Sequence, residues 1–376
     1  MALARFFIPH LLIALCAICL YNGGWWPWTF FLGLSVLVTI GDRLCPRDHA
    51  DLQGVNPRAA NALLFAIWPL LIALVALVIV SVAVGIQQVT LPLLGAGYAE
   101  RWDYTPLQVL GVVLSVGLLI GGVGTSAAHE CMHRPRGHRL RTVGDWLMAL
   151  SMDGVFPIEH NHGHHKNVGT VHDAATARYG ESVYRFIGRS TWGEYANAWR
   201  VERERLERQS RGLWSLHNRY LRALARSAAF PILAALVGGG FCALVVLLSM
   251  LWAKVLLETV NYIEHYGLVR VPNAPIEPRH SWNSTAWMSG TITFLLTRHS
   301  HHHQHGALPF WRLSDMPDAP MLPWGYLSAI YIALLRPAHY RAVMQPHLDH
   351  WFDHYASREE CQLAARSCAI ASAETA

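Results

Sequence analysis

Histidines recur in four short segments of this chain, each close to a long apolar stretch. The segments are 129–133 (HECMH), 160–165 (HNHGHH), 261–267 (NYIEHYG) and 298–303 (RHSHHH). Ionisable side chains at a membrane are costly to keep there and usually mark a functional site. Neutral imidazole is a common metal ligand, so histidines that converge from distant segments predict a metal centre with more than one ion.

The spacing within these segments places the histidines on shared helix faces. His129 and His133 are four residues apart, and side chains at that spacing lie one above the other on a helix. The segments 160–165 and 298–303 repeat the pattern, and 261–267 contributes a single histidine. The candidate ligands are therefore His129, His133, His160, His164, His165, His265, His299, His302 and His303.

The number of candidate ligands distinguishes between metals. The HExxH pattern at 129–133 is also the signature of zinc proteases, with Glu130 as general base. A zinc site takes three or four protein ligands, whereas two six-coordinate ions with positions open for oxygen would use about nine. Because iron accepts imidazole and is redox-active, the count favours oxygen chemistry at iron. We expect His162, His301 and His305 to lie outside the ligand set.

Five carboxylates lie near the histidine segments or between them. We expect them to accept hydrogen bonds from the free ring N–H groups of the ligands, as is common around metal-bound histidine. They are Glu130, Asp153, Glu159, Asp173 and Glu264. The histidine count and this acidic set together predict a site in which the protein holds and orients imidazoles.

The composition is that of a membrane protein. Hydrophobic residues make up 53% of the 376 residues and charged residues 15%, against roughly 25% charged in soluble domains. The net charge of +5 comes almost entirely from arginine and is not gathered in a compact basic domain, so a nucleic-acid partner is not expected. The seven cysteines form no disulfide framework, and Cys16 and Cys19 are interpreted as small buried hydrophobic residues.

Six apolar stretches are candidate membrane spans, since a span needs about 20 apolar residues. They are 7–21, 25–40, 60–86, 107–128, 228–238 and 241–260. The first is interpreted as a retained helix rather than a signal peptide, and tight turns are predicted at 22–24 and 238–240. An interfacial aromatic belt is predicted from Trp25, Trp26, Trp28, Phe30 and Phe31.

Arginine placement predicts the orientation of the spans. Arginines are dense after the second and fourth spans and scarce at 87–108, which places both termini and every histidine segment on the cytoplasmic side. The charged stretch 178–226 predicts an amphipathic helix that is a solvated face or, alternatively, a docking surface for an acidic electron donor. A polar and disordered tail is expected over 357–376.

The four motifs, in this order and spacing, resemble those of the integral-membrane alkane 1-monooxygenase (alkane hydroxylase) family. They read HExxH at 129–133, EHNxGHH at 159–165, NYxEHYGL at 261–268 and RHSxHH at 298–303. Segments 178–182 and 281–284 are also similar, and the resemblance covers roughly residues 10 to 350. That family is itself similar to membrane fatty-acid desaturases and to xylene and cymene methyl monooxygenases.

The resemblance implies an all-α integral membrane protein with six transmembrane helices and a cytoplasmic helical cap around a histidine-ligated diiron site. Residues 1–356 would form this single domain, and the nine histidines above would be the ligands. The implied reaction inserts one oxygen of O2 into a terminal methyl C–H bond of an n-alkane and yields a primary alcohol. Electrons would come from NADH through a reductase and rubredoxin, or a ferredoxin-type donor, at the bacterial inner membrane. The chain departs from the family at Met132, Arg134 and His301, where glycine, lysine and aspartate are usual.

Several alternatives are compatible with the sequence. The same chemistry would serve a methyl hydroxylase of alkyl-aromatics or terpenes, or a fatty-acyl desaturase or hydroxylase. A membrane metalloprotease would use only His129, Glu130 and His133 and leave the other segments unexplained. A metal storage or transport protein would place its ligands along the membrane path rather than at helix ends. A non-polar substrate would need an apolar channel among the helices, because burial is its only source of binding energy.

Overall fold

The structure is a computed structural model that describes residues 3–52, 54–87, 105–135 and 137–373, without the side chains of 86–87 and 366–373. Arg101 and Arg136, two of the arginines behind the predicted orientation, lie outside this description. The described residues form helices and one isolated β-bridge, between Asn283 and Met321. The helices are α1 (Ile8–Asn22), α2 (Trp26–Leu44), α3 (Pro57–Gln87), α4 (Pro106–Leu119), α5 (Thr125–Met132), α6 (Arg139–Ala149), α7 (Phe156–Glu159), α8 (His165–Asn167), α9 (Val183–Arg208), α10 (Arg219–His265), α11 (Trp287–Ile292), α12 (His299–Gln304), α13 (Tyr326–Leu335), α14 (Pro337–His354) and α15 (Arg358–Ala373).

The long helix α10 folds back on itself at Gly239, which adopts φ 77° and ψ −174°. Gly154 packs against the backbone of Ala223, while the adjacent Asp153 pairs with Lys254 at 2.5 Å. Ala223 and Lys254 therefore lie at the same level, although a straight helix would separate them by about 46 Å. The predicted turn at 238–240 is present, because glycine tolerates this backbone conformation. The turn predicted at 22–24 is also present, between α1 and α2.

Among the described residues, four helices are long and apolar enough to cross a membrane, so the chain is a membrane protein. They are Ala4–Asn22, Pro57–Gly85, Pro106–Met132 and Arg219–His265. The last has two arms, and α2 has sufficient length but carries Asp42 and Arg43 in its final turn. The count of six spans stays a prediction that depends on α2 and on the first arm of α10.

Helix α9 packs against α7 and α10. Its buried side carries Ser190, Glu194 and Glu202 among apolar residues. The predicted amphipathic helix is therefore present, but its inner face is polar as well as its outer face.

The C-terminal segment, predicted to be a disordered tail over 357–376, instead forms helix α15 from Arg358. Glu360 is buried there and accepts from His280 Nε2 at 2.8 Å, and it pairs with Arg279 Nε at 3.2 Å. Burial opposes the charged form of Glu360, but the hydrogen bond from His280 and the nearby charges lower its pKa to about 2. This buried ion pair explains why the chain continues as helix where a disordered segment was expected from residue 357.

Candidate metal centre

Two of the histidine segments lie in a π-helical turn or follow one. The chain between α4 and α5 forms one at Ile120–Gly124, where a Cβ on Gly121 would lie 3.0 Å from the carbonyl oxygen of Ala253. The glycine therefore permits close packing against α10. The hydroxyl of Thr125 donates to the Gly121 carbonyl at 2.6 Å. Single π turns inside helices are frequently found at functional sites.

The second π turn, His160–His164, is itself a histidine segment. In a π helix, residues five apart lie one above the other. In the α-helix that the sequence predicts, residues three or four apart do so instead. Nε2 of His160 accordingly lies 2.9 Å from Nε2 of His165. The ring of His164 lies within 5.0 Å of His160, but it faces a different set of histidines.

The nine predicted histidines converge in two groups, and in each group the ligand atoms all lie within 4.8 Å of one another. The first group comprises His129, His133, His160, His165 and His302. Its Nε2 atoms are separated by 3.0 Å for His129 and His160, and by 3.2 Å for His165 and His302. Nε2 of His133 is buried and has no hydrogen-bond partner among the described atoms.

The second group comprises His164, His265, His299 and His303. Nε2 of His299 lies 3.2 Å from Nε2 of His265 and 3.0 Å from Nε2 of His303. Two nitrogens that bind one ion at about 2.1 Å and at right angles would lie about 3.0 Å apart. The two groups adjoin, because His164 and His165 are consecutive, as are His302 and His303.

Burial keeps most of these imidazoles neutral. It lowers the pKa of five rings well below the usual value, and the neighbouring histidines lower it further: His160, His165, His299, His302 and His303. Neutral imidazole is the form that binds metal. The donor set therefore fits two transition-metal ions, one with five nitrogen ligands and one with four.

Asp173 is the carboxylate that takes the predicted supporting role. Its Oδ2 lies 2.9 Å from Nδ1 of His164, which turns the other ring nitrogen towards the second group. Burial opposes the charged form of His164, but the Asp173 carboxylate raises the pKa of that ring. Such a partner sets the tautomer and orientation of a metal-binding histidine.

Glu264 also contacts a candidate ligand, but in a different way from the prediction. Its Oε2 lies 3.2 Å from Nε2 of His299, the nitrogen that faces His265 and His303. Its Oε1 accepts a hydrogen bond from the Tyr326 hydroxyl at 2.8 Å. The carboxylate is thus directed at the point on which the second group converges.

The other three predicted carboxylates pair elsewhere within the described residues. Glu130 pairs with Arg134 at 2.6 Å, and Glu159 accepts from Asn197 at 2.8 Å. Burial and the nearby Asp173 carboxylate raise the pKa of Glu159 to about 7. Asp153 pairs with Lys254, in a cluster that was not predicted from the sequence.

Lys254 is buried at the centre of three buried carboxylates. Its Nζ lies 2.5 Å from Asp153, 2.8 Å from Glu194 and in contact with Glu258. Asn261, one turn beyond Glu258, donates to Glu194 at 3.4 Å. The signal was available in the sequence, because Lys254 is one of only two lysines and stands with Glu258 inside the apolar stretch 241–260.

The three histidines expected outside the ligand set do lie outside both groups. His301 accepts the backbone N–H of Ser314 at 3.0 Å through Nδ1. His162 and His305 are exposed. His301, which stands where the family usually has aspartate, therefore faces the loop at Ser314 rather than the two histidine groups.

An apolar cavity reaches both histidine groups. At one end its wall includes His129 and His160 of the first group and His299 of the second, together with Glu264. Its walls elsewhere come from α1, α2, α4, α10 and α13, with leucine, isoleucine and valine predominating. Trp25 and Trp26 are 58% and 52% exposed and do not line it, as expected of a belt, whereas Phe30 is buried and does not fit the predicted belt.

Nine histidines held in two adjoining groups, at the end of an apolar cavity between membrane-crossing helices, define a membrane metalloprotein of the histidine-box class. Residues 104–333 match the family model described as fatty acid desaturase. The chain is 35% identical to alkane 1-monooxygenase 2 of Pseudomonas aeruginosa over 85% of its own length and 84% of the relative's. It is 36% identical to an alkane 1-monooxygenase of Ectopseudomonas oleovorans over 65% of the chain and 62% of that protein.

A third relative spans almost the whole chain. The xylene/toluene monooxygenase hydroxylase component XylM of Pseudomonas putida is 29% identical over 96% of this chain and 93% of its own length. The family model and the relatives agree with the four motifs and with the observed convergence of their histidines. The chain therefore belongs to the integral-membrane alkane 1-monooxygenase family, within the fatty acid desaturase family.

Proposed function

We propose that this protein is a membrane monooxygenase that hydroxylates the terminal methyl group of an n-alkane to a primary alcohol. The observation that carries the proposal is the apolar cavity whose inner end is formed by His129, His160 and His299. Relatives named alkane 1-monooxygenase support the same reaction. Because an alkane has no polar group, a wall of aliphatic side chains is the surface that recognises it.

Two iron ions would be held by the nine histidines, five nitrogens on one ion and four on the other. Glu264 would add an oxygen donor to the four-nitrogen group, since its Oε2 lies beside Nε2 of His299. The irons would supply the binding and reductive activation of O2, which zinc does not perform. Asp173 would hold His164 in the required tautomer, and the Tyr326 hydroxyl would orient Glu264.

The cavity would bind and orient the alkane. Each buried methylene contributes about 0.8 kcal/mol, so a chain of eight or more carbons gains several kcal/mol by burial alone. The cavity wall contains no arginine or lysine among the described residues, so it offers no cation for the carboxylate of a free fatty acid. Water exclusion by the aliphatic wall would confine the oxidation to the methyl group at the histidine end.

Electrons would reach the centre from an acidic iron–sulfur protein such as rubredoxin, with NADH and a reductase upstream. The arginine-rich cap supports this partner, because opposite charge steers and orients association. The same arginines support a cytoplasmic location of the site at a bacterial inner membrane. We propose the nine histidine ligands, rubredoxin as electron donor and the cytoplasmic location of the site together.

The test is reconstitution of the purified protein with iron, rubredoxin, its reductase and NADH. Octane and hexadecane should yield 1-octanol and 1-hexadecanol, and metal analysis should find about two irons per chain. Stoichiometric zinc without iron, or no NADH-dependent product, would contradict the proposal.

A second candidate, hydroxylation of a methyl group on an aromatic ring, is favoured by the relative that spans 96% of the chain. Xylene in the same assay separates the two functions. Methylbenzyl alcohol at a higher kcat/KM than 1-octanol would assign the second function, and an alkene product from a fatty-acyl substrate would assign a desaturase.

A further inference from the structure

A polar pocket lies away from the metal centre, where α6 meets the start of α10. Its wall includes Arg141, Arg219, Arg222 and Arg226 with the single carboxylate Asp145. Arg226 pairs with Asp145 at 3.3 Å, and Arg219 pairs with Glu202 at 2.7 Å. Two of the four guanidinium groups are thus paired with carboxylates, and Arg141 and Arg222 keep the pocket net positive.

Two of these arginines retain unused hydrogen-bonding capacity. Nε of Arg226 is buried and has no partner among the described atoms. Arg222 is exposed, and its side chain makes no hydrogen bond or ion pair within the described residues. Guanidinium groups bind phosphate oxygens through paired N–H donors, so a phosphate group would satisfy both.

The helix above the pocket has the character of a lipid-facing surface. Arg222, Arg226, Leu233 and Leu236 lie close to one face of the first arm of α10, at spacings of four, seven and three residues. Leu233 and Leu236 are 52% and 80% exposed. They lie about 10 to 15 Å beyond Arg226, which is within the acyl-chain region of a leaflet whose headgroup layer is about 5–8 Å thick.

We propose that this pocket binds the phosphate of an anionic phospholipid, whose acyl chains lie along the exposed apolar face of α10. The amphiphilic match of basic pocket and adjoining apolar stripe favours a lipid over a soluble acidic protein, which would need no exposed leucines. Basic pockets between transmembrane helices on the cytoplasmic side are known to bind such headgroups. The inference is independent of the alkane reaction and requires only that α10 lies in the bilayer.

Lipid binding would also stabilise the approach to the metal centre. The pocket wall includes Gly154, Pro157 and Ile158, which lead directly into His160. A ligand that binds only the folded protein raises its unfolding temperature. The thermal stability of the protein should therefore report occupancy without any assay of turnover.

The experiment measures the unfolding midpoint of the detergent-purified holoprotein with added phosphatidylglycerol, phosphatidylcholine or inorganic phosphate. We expect phosphatidylglycerol to raise the midpoint by about 3 °C or more, with little effect of the other two. The variant Arg222→Gln should lose at least half of this shift, and Arg222→Gln with Arg226→Gln should lose nearly all of it. Arg222→Gln breaks no described contact, so it remains informative if the double variant does not fold.

The matched control removes two exposed arginines of α9, Arg200→Gln with Arg203→Gln, and should keep the full shift. Equal stabilisation by phosphatidylcholine, or an equal effect of inorganic phosphate, would overturn the proposal in favour of a non-specific lipid or a free-anion site. A full phosphatidylglycerol shift in the double variant would also overturn it. An unchanged phosphatidylglycerol shift in the double variant, together with a raised KM for rubredoxin, would also overturn the proposal. The pocket would then be a surface for the electron donor.

Discussion

Two buried polar clusters lie side by side in this protein and differ in how their groups are satisfied. Around Lys254 three carboxylates share one ammonium as their cation. In the histidine centre the Nε2 atoms instead converge, 3.0 Å apart for His129 and His160 and 3.2 Å apart for His265 and His299. The first arrangement contains its own cation, whereas the second is a set of donors suited to metal ions. Buried polarity alone therefore does not identify a reactive site, and the direction of the groups does.

The largest expected effect tests the histidine side of this comparison. His265→Ala should abolish hydroxylation, at least about a thousandfold, because it removes one of four nitrogens from the second group. The protein should remain in the membrane fraction, and iron should fall from about two to about one per chain. His301→Ala is the matched control and should keep both irons. Full turnover by the His265 variant would remove this residue from the ligand set.

The Lys254 cluster should respond in stability rather than in metal content. Lys254→Met leaves three buried carboxylates without their cation, and breaking a buried ion pair in this way costs about 3–5 kcal/mol. A lower unfolding midpoint in detergent, with iron content per folded chain unchanged, is the expected result. The other lysine provides the control, since Lys166→Met removes an exposed side chain. Loss of iron without loss of stability would show that the two clusters are not separate in function.

Asp173→Asn tests whether orientation of a ligand matters as much as its presence. The amide can no longer hold the His164 ring as a charged acceptor, so iron affinity should fall about 10- to 100-fold. Competition with a chelator measures this change. An unaltered affinity would mean that packing alone orients His164.

Glu264→Gln tests the proposed oxygen donor. The amide keeps the shape and the contact with Tyr326 but loses the charge, so iron in the four-nitrogen group should be retained about tenfold less well. Mössbauer spectra should show a change confined to one of the two iron environments. Identical spectra would restrict Glu264 to a supporting hydrogen bond.

The smallest effect concerns the cavity. Val38 is buried and lines the cavity from α2, so the larger side chain of Val38→Phe should shorten the longest alkane accepted by a few carbons. Val36 lies two residues away and is 56% exposed, which makes Val36→Phe the control. Product yields across a C6–C16 series measure the change. An unchanged chain-length profile would place the alkane elsewhere.

The sequence by itself determined the residue types and their local spacing. These were sufficient to predict which nine histidines converge, that the composition is that of a membrane protein, and that turns form at 22–24 and 238–240. These features depend on short-range periodicity and backbone preference, which a chain carries in its order of residues. The division into five and four nitrogens was decided by the tertiary structure, because the π turn at His160–His164 changes which rings share a face. The same holds for the direction of Glu264, the enclosure of Lys254 and the path of the cavity, since each depends on residues far apart in the chain that meet only when the helices pack.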